Sequence, residues 1–296
     1  MNIYDIAKLA NVSIATVSRV VNNSPKVSPK TKEKVLAVMK ENEYTPNAFA
    51  RGLGLGSMKT VGIICPNIDD IYMAKAVSYL EQNLHAHGYD CILGCSGFKQ
   101  EEKEDYVRLL LSKKIDTLIL VGSTYAGNGK DESDTDYIRE AAEQVSIFMI
   151  NAKVSGDNIY CTYADDFQAT YEVTKAFIRR GKEKILFMYD SESYSARQKM
   201  AGYEAALQEA GYPICGNLKF KTRNDIEYTR DMLLEYNRTL DFDSVLATED
   251  GIAIGAVKYA KIKELAIPEE LPVAGYNNSI LAISSDPELT SVDSKL

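Results

Sequence analysis

The stretch IYDIAKLANVSIATVSRVVN, residues 3–22, decides the first part of the fold. Ile3, Ile6, Ala7 and Ala10 recur at helical spacing, Asn11-Val12-Ser13 interrupts, and a second periodic run extends from Ile14 to about Val21. The spacing predicts two short helices meeting at a tight turn, with small Ala7 where they cross and Val12, Val17 and Val20 in a shared core. That turn needs a left-handed residue, a conformation that Asn11 tolerates better than other non-glycine residues. Ser13 is expected to cap the second helix, which leaves Ile14, Ala15, Thr16, Ser18 and Arg19 facing outward. Such a face fits a DNA major groove: Arg19 suits a bidentate pair with a guanine edge, Ile14 and Ala15 suit thymine methyls, and Thr16 and Ser18 suit phosphates. The plainer reading of Thr16 and Ser18 is a solvated surface. Asn22, at the end of the helix, joins the DNA-contact candidates.

Working outward, Ser28-Pro29 opens a third helix with Val35, Val38 and Met39 on one side, closing a three-helix core. Beyond Tyr44-Thr45-Pro46, the run NAFARGLGLG carries three glycines, each costing roughly 0.5–1 kcal/mol in a helix interior. Residues 47–59 therefore read as a hinge helix and linker that order only against DNA and a symmetry mate. The GLGLGS run follows no strand and lacks the GxxxxGK[ST] spacing, so a nucleotide loop is not expected.

Charge divides the chain in the same place. The whole carries −8, yet residues 1–60 hold nine Lys/Arg against four Asp/Glu, net +5, leaving 25 against 38, net −13, for the remainder. A basic head on an acidic body means that only the head approaches phosphates.

From Thr60 short apolar runs alternate with helical stretches: VGIIC, DCILGC, DTLILVG and SIFMIN, then NIYCTY, KILFMYD, a strand near Leu218, SVLATE and LPVAGYN. This repetition predicts parallel sheets in two similar lobes, with a ligand cleft outside the carboxyl ends of the strands. Five cysteines without a CxxC pair and only two histidines, His85 and His87, supply neither a disulfide framework nor a zinc site. No metal or cofactor is implied. No unbroken apolar segment reaches the roughly 18–20 residues of a membrane span, and the N-terminal MNIYDIAKLANVS lacks a secretory signal, so a cytoplasmic protein is expected. Without GxSxG, HExxH or a dinucleotide fingerprint, an enzyme is not expected.

The segment IYDIAKLANVSIATVSRVVNNSPKVSPKTKEKVLAVMKENEYTPNAFARGL resembles the DNA-binding head of the LacI/GalR (lactose-repressor/galactose-repressor) family, through VSxxTVSRVVN followed by YxPN and A-x-x-L. The likeness continues from Val61 to the end, most clearly in SARQKMAGYEAALQEAGY at 195–212, SVLATEDGIAIGAVKYA and VAGYNNS. It implies an all-α helix-turn-helix domain at 1–46, the hinge at 47–59, and an α/β periplasmic-binding-protein-like body at 60–296. The N-lobe is placed at about 60–152 and the C-lobe at about 153–296, with the chain crossing back near 277–293. It also implies a homodimeric repressor on a palindromic operator, with Asn47, Ala50 and Leu53 of the hinge at the DNA and Leu53 wedged into the minor groove.

Matching strand ends, the resemblance assigns contacts with a sugar or related small effector to Tyr72, Asn151, Lys199, Glu249 and Asn277. The family usually has Asp where Asn151 and Asn277 stand and Arg where Lys199 stands. These departures remove bidentate hydroxyl-binding capacity and point away from a simple neutral sugar. Arg197, about 200° around the helix from Lys199, reads as structural, and Asp250 as a helix N-cap. The family continues past TSVDSKL with a further helix and strand, so the C-terminal lobe is expected to lack a covering helix. Within the family the alternative is a regulator controlled by a partner protein, with a degenerate cleft. Outside it, the alternative is a solute-binding protein, which requires an export signal.

Overall fold

A computed structural model describes residues 1–45, 57–129, 131–236 and 239–295. The hinge candidates Asn47, Ala50 and Leu53 lie outside the described residues. In the head, α1 (Ile3–Leu9), α2 (Ile14–Val21) and α3 (Pro29–Glu41) follow the sequence signals closely. Asn2 and Asp5 form a capping box at α1, Ser13 Oγ accepts from the Thr16 amide at 3.1 Å, and Ser28 Oγ from the Thr31 amide at 3.2 Å. Each satisfies an amide that the first turn leaves without a helical partner. Asn11 takes the left-handed conformation, φ 48°. Ile6, Ala7, Ala10, Val17, Val20, Val35 and Met39 are buried together, with Val12 and Val38 packed at the edge.

The first lobe contains β1 (Thr60–Cys65), α4 (Ile71–Ala86), β2 (Asp90–Cys95), α5 (Gln100–Ser112), β3 (Thr117–Val121), α6 (Asp136–Ala142), β4 (Ser146–Ile150) and β5 (Ile159–Thr162). The second contains α7 (Asp166–Arg179), β6 (Ile185–Tyr189), α8 (Tyr194–Glu209), β7 (Lys219–Lys221), α9 (Ile226–Tyr236), β8 (Ser244–Ala247), α10 (Asp250–Ile262), β9 (Val273–Tyr276), α11 (Ile280–Ser284) and β10 (Thr290–Val292). The sheets are ordered β2-β1-β3-β4-β5 and β7-β6-β8-β9-β10, every pairing parallel. The two orders are the same, so the second lobe repeats the wiring of the first. Continuous apolar strands such as ILFMY suit central positions buried on both faces. Among the described residues, no helix is long and apolar enough to cross a membrane.

Three expectations change. NIYCTY was expected to open the second lobe after residue 152, but its strand β5 hydrogen-bonds β4 and completes the first sheet, so the crossing falls between Thr162 and Asp166. A strand is assigned by its partner, and apolar periodicity carries no information about partners. The return expected near 277–293 is narrowed to the end of that range: β10 still pairs with β9, and Val292, Asp293, Ser294 and Lys295 share a pocket with Lys75 and Tyr79 of α4.

The second sheet is also covered on both faces. Leu186, Met188, Val245 and Val273 pack with residues of α9 and α10, while Ile185, Phe187, Leu246 and Ala274 pack with Phe177 of α7 and Tyr203 and Leu207 of α8. It is the first sheet that shows aromatic side chains, Phe148 and Tyr160, stacked at 5.0 Å and both exposed. Helices α7 and α8 touch closely: a Cβ on Gly202 would stand 2.2 Å from the Phe167 carbonyl oxygen, so only glycine fits this crossing.

Candidate ligand cleft and DNA-reading helix

Because both sheets are parallel, their carboxyl ends open toward one another, and the loops leaving β1, β3, β4, β6, β8 and β9 enclose a cleft of about 1090 Å³. Tyr72, Asn151, Lys199, Glu249 and Asn277 all line it. Asn151 and Asn277 sit just past β4 and β9 in left-handed conformations, φ 62° and 90°, which asparagine accepts at a sharp exit from a strand. Tyr72 lies in the first turn of α4, behind Asp70, whose carboxylate caps the Met73 amide at 2.9 Å.

Lys199 is 4% exposed. Its ammonium donates to the Thr248 carbonyl at 2.9 Å, lies 3.9 Å from Glu249 Oε1, and stands 3.6 Å from the centre of the Tyr276 ring. It is thus held by the protein and leaves little capacity for an anionic guest. Asn277 Nδ2 donates to Glu249 Oε2 at 2.6 Å, and the Tyr276 hydroxyl donates to Asp166 Oδ1 at 2.6 Å. One polar network therefore runs across the second-lobe wall, from α8 through β8 and β9 to α7.

Burial pushes the Glu249 carboxyl up from 4.5 to about 8; Lys199 opposes the shift, and Asp190, Asp70 and Asp250 add to it. The folded protein keeps this proton in a pH range where the unfolded chain has released its own, so Glu249 opposes folding increasingly as pH rises from 4.5 toward 8. Glu249→Gln keeps an acceptor for Asn277 and removes the titration. Its melting temperature relative to the parent is expected to be near parity at pH 5 and clearly higher at pH 8; an equal gain at both pH values would refute the assignment.

Several cleft residues escaped the sequence reading. Asp190 ends the KILFMYD strand and lines the cleft, its carboxyl raised chiefly by burial, against Lys199 and with Asp70; the strand-end rule could have found it. Arg197, read as structural, spans the lobes: Nη1 donates to the Gly127 carbonyl at 3.2 Å and to the Glu192 carbonyl at 3.0 Å. Ser123 donates to Ser193 Oγ at 2.9 Å across the same gap. Asp250 is the first residue of α10 rather than its cap, and its carboxylate accepts from the Ser279 amide at 2.7 Å and from Ser291 Oγ at 2.6 Å. It ties the loop after β9 and strand β10 to α10.

On the head, α2 presents Ile14, Ala15 and Arg19 in exposed positions, with Thr16, Ser18 and Asn22 half-buried. The Thr16 hydroxyl is hydrogen-bonded to Ser13 Oγ at 2.9 Å, so it is oriented by the cap. Asn22 ends the helix, and its buried Oδ1 has no partner among the described residues. The outward face is short, convex and cationic at Arg19, a shape a major groove admits.

Two family profiles match. "Bacterial regulatory proteins, lacI family" covers residues 2–47, and "Periplasmic binding proteins and sugar binding domain of LacI family" covers residues 58–294. An HTH-type transcriptional regulator of Lachnoclostridium phytofermentans is 48% identical over 99% of this chain and 88% of its own length. Catabolite control protein A of Priestia megaterium is 30% identical over 99% and 87%. Among solved structures, the lac repressor dimer bound to operator and the anti-inducer ONPF is similar with a TM-score of 0.87 at 22% identity, covering 100% of this chain and 88% of that one. A CelR–cellobiose complex follows with a TM-score of 0.67 at 23% identity, covering 99% and 88%.

Proposed function

The chain belongs to the LacI family of DNA-binding transcriptional regulators, and we propose that within it this protein is an effector-responsive repressor that binds a palindromic operator as a homodimer. The observation that carries the reading is the joint presence of an exposed, cationic α2 and a polar cleft between two lobes of matching topology. The effector is a sugar or related small metabolite held by Tyr72, Asn151, Glu249 and Asn277, with Lys199 setting the charge behind them. Closure of the lobes on it changes the spacing of the two heads, a coupling that requires unequal affinity for the open and closed states.

α2 reads bases through Arg19, Ile14 and Ala15, while Thr16, Ser18 and Asn22 position the helix on the backbone; Asn47, Ala50 and Leu53 extend the contact into the minor groove. The test is selection of a binding site from random duplexes by the full chain, followed by the same selection with Arg19→Ala. A palindromic site is expected for the parent. The variant should lose about 1–3 kcal/mol of discrimination at one base pair per half-site while keeping the rest of the preference. Failure to enrich any palindrome at low salt would overturn the reading.

A further inference from the structure

Charge in the cleft is uneven. Nine carboxylates line it against two lysines, among the described residues, and both lysines are spent within the protein. Lys103 is 4% exposed and donates to the Thr124 carbonyl at 3.1 Å. Lys199 is held by the Thr248 carbonyl and the Tyr276 ring, with Glu249 at 3.9 Å. Some carboxylates are also spent, as with Asp250, whose two oxygens hold Ser279 and Ser291. Asp70 from the first lobe and Asp190 and Glu249 from the second are less fully engaged: Asp70 accepts from the Met73 amide through Oδ1, and Glu249 from Asn277 through Oε2, with the other oxygen of each left for a guest. They end β-strand exits or begin a helix on opposite walls, and a single lysine serves the latter two.

Two further side chains point to a guest. Ser195 and Thr248 line the cleft and are 4% and 2% exposed, and their hydroxyl oxygens are buried at its wall without a hydrogen-bond partner among the described residues. Leaving a buried hydroxyl unpaired costs about 1–3 kcal/mol, a cost that a polar ligand would remove.

Building on the reading of the cleft as an effector site, we propose that its ligand is a small polyhydroxylated molecule bearing a positively charged amine, an amino sugar or an amino polyol. The ammonium lies between Asp70, Asp190 and Glu249, and hydroxyl groups meet Ser195 and Thr248. A phosphorylated ligand is disfavoured, since no lysine is free to meet it and the carboxylates repel it. A neutral sugar supplies donors but brings no positive charge to set against Asp70, Asp190 and Glu249. Burial retains a proton on Glu249 even with Lys199 at 3.9 Å, and a bound ammonium would displace that proton.

The experiment is titration calorimetry on the full chain with D-glucosamine, 1-amino-1-deoxysorbitol, D-glucose, N-acetyl-D-glucosamine and D-glucosamine 6-phosphate. Each is measured at pH 7 in two buffers of different ionisation enthalpy. The expected result is binding of at least one of the two free amines, at least tenfold tighter than its neutral or phosphorylated counterparts. Its apparent enthalpy should depend on the buffer, reporting proton release, and Asp190→Asn should weaken it at least tenfold while leaving operator binding by the unliganded protein intact. Binding of glucose or the N-acetyl sugar with equal or higher affinity would overturn the amine and keep the effector cleft. Preference for the phosphate would overturn the charge argument. Silence of all five would overturn the proposal, while operator selection tests the regulator reading independently.

Discussion

Lys199→Ala is expected to destabilise the second lobe by on the order of 3 kcal/mol, because it removes one member of a buried charged network and leaves the others in place. The ammonium is the donor for the Thr248 carbonyl, the cation over Tyr276 and the counter-charge that holds down Glu249 and Asp190. Alanine also empties the volume of a long side chain in a site that is 4% exposed. Lys199→Met separates these causes: it refills the space without the charge. If packing dominates, methionine restores most of the stability at all pH values. The charged contacts predict the opposite, a deficit that methionine leaves largely unrepaired and that deepens as pH rises from 6 to 9, when Glu249 and Asp190 are asked to ionise without a cation. Urea denaturation of both variants across that range is the measurement. Unchanged midpoints at pH 8 would show that the network carries no stability. Either variant should also lose the thermal response to effector, since Glu249 and Asn277 are hydrogen-bonded to each other within the same network.

How far the sequence could be read depends on the range of the interaction that fixes each element. The head was legible almost residue by residue, because its devices are local: Ser13 reaches Thr16, Ser28 reaches Thr31, and Asn11 bends within its own turn. Element type in the body was legible for a similar reason, the alternation of buried strands with amphipathic helices. Membership of β5 in the first sheet was not, since Ile147 must find Ile159 and Phe148 must find Tyr160 across a loop, and nothing in NIYCTY names that partner. For the same reason the lobe boundary, expected near residue 152, fell before Tyr160, which stacks on Phe148 in the first sheet.

The cleft divides along the same line. Tyr72, Asn151, Lys199, Glu249 and Asn277 were assigned by the family resemblance, matched to the strand ends where parallel sheets gather ligands, and all five line the cavity. What the rule could not supply is the state of each group. Lys199, expected as an effector contact, lines the cleft with its ammonium held by the Thr248 carbonyl and the Tyr276 ring; Arg197, read as structural, ties Gly127 of one lobe to the other. Both distinctions depend on which carbonyl each side chain reaches: Thr248 at 2.9 Å within the second lobe for Lys199, and Gly127 at 3.2 Å across the lobes for Arg197, contacts that a helix face alone does not specify. Asp190 and Asp70 were missed for a similar reason: they come from different lobes and meet only as lining of the same cleft.

The head is a small unit, and that makes its core the most sensitive place for DNA recognition. Val17 is fully buried on the inner side of α2, in a core of seven buried residues. Three-helix units of this size bury a modest share of their surface and are marginally stable. Val17→Asp places an unpaired carboxylate where no donor waits, a cost of several kcal/mol that exceeds what such a core can absorb. The head should therefore unfold, and specific DNA affinity should fall by about 10³-fold or more, toward the non-specific level. The body keeps its own buried clusters, so its melting transition and ligand response are expected to persist. Ile14→Asp provides the contrast: the residue is on the same helix but 42% exposed, so the head stays folded while an apolar contact is replaced by a charge that phosphates repel. Calorimetry should then show a missing head transition for Val17→Asp alone, with DNA binding weakened in both. Specific binding surviving Val17→Asp would mean that recognition does not depend on the three-helix core, and intact binding by Ile14→Asp would mean that α2 does not face the groove.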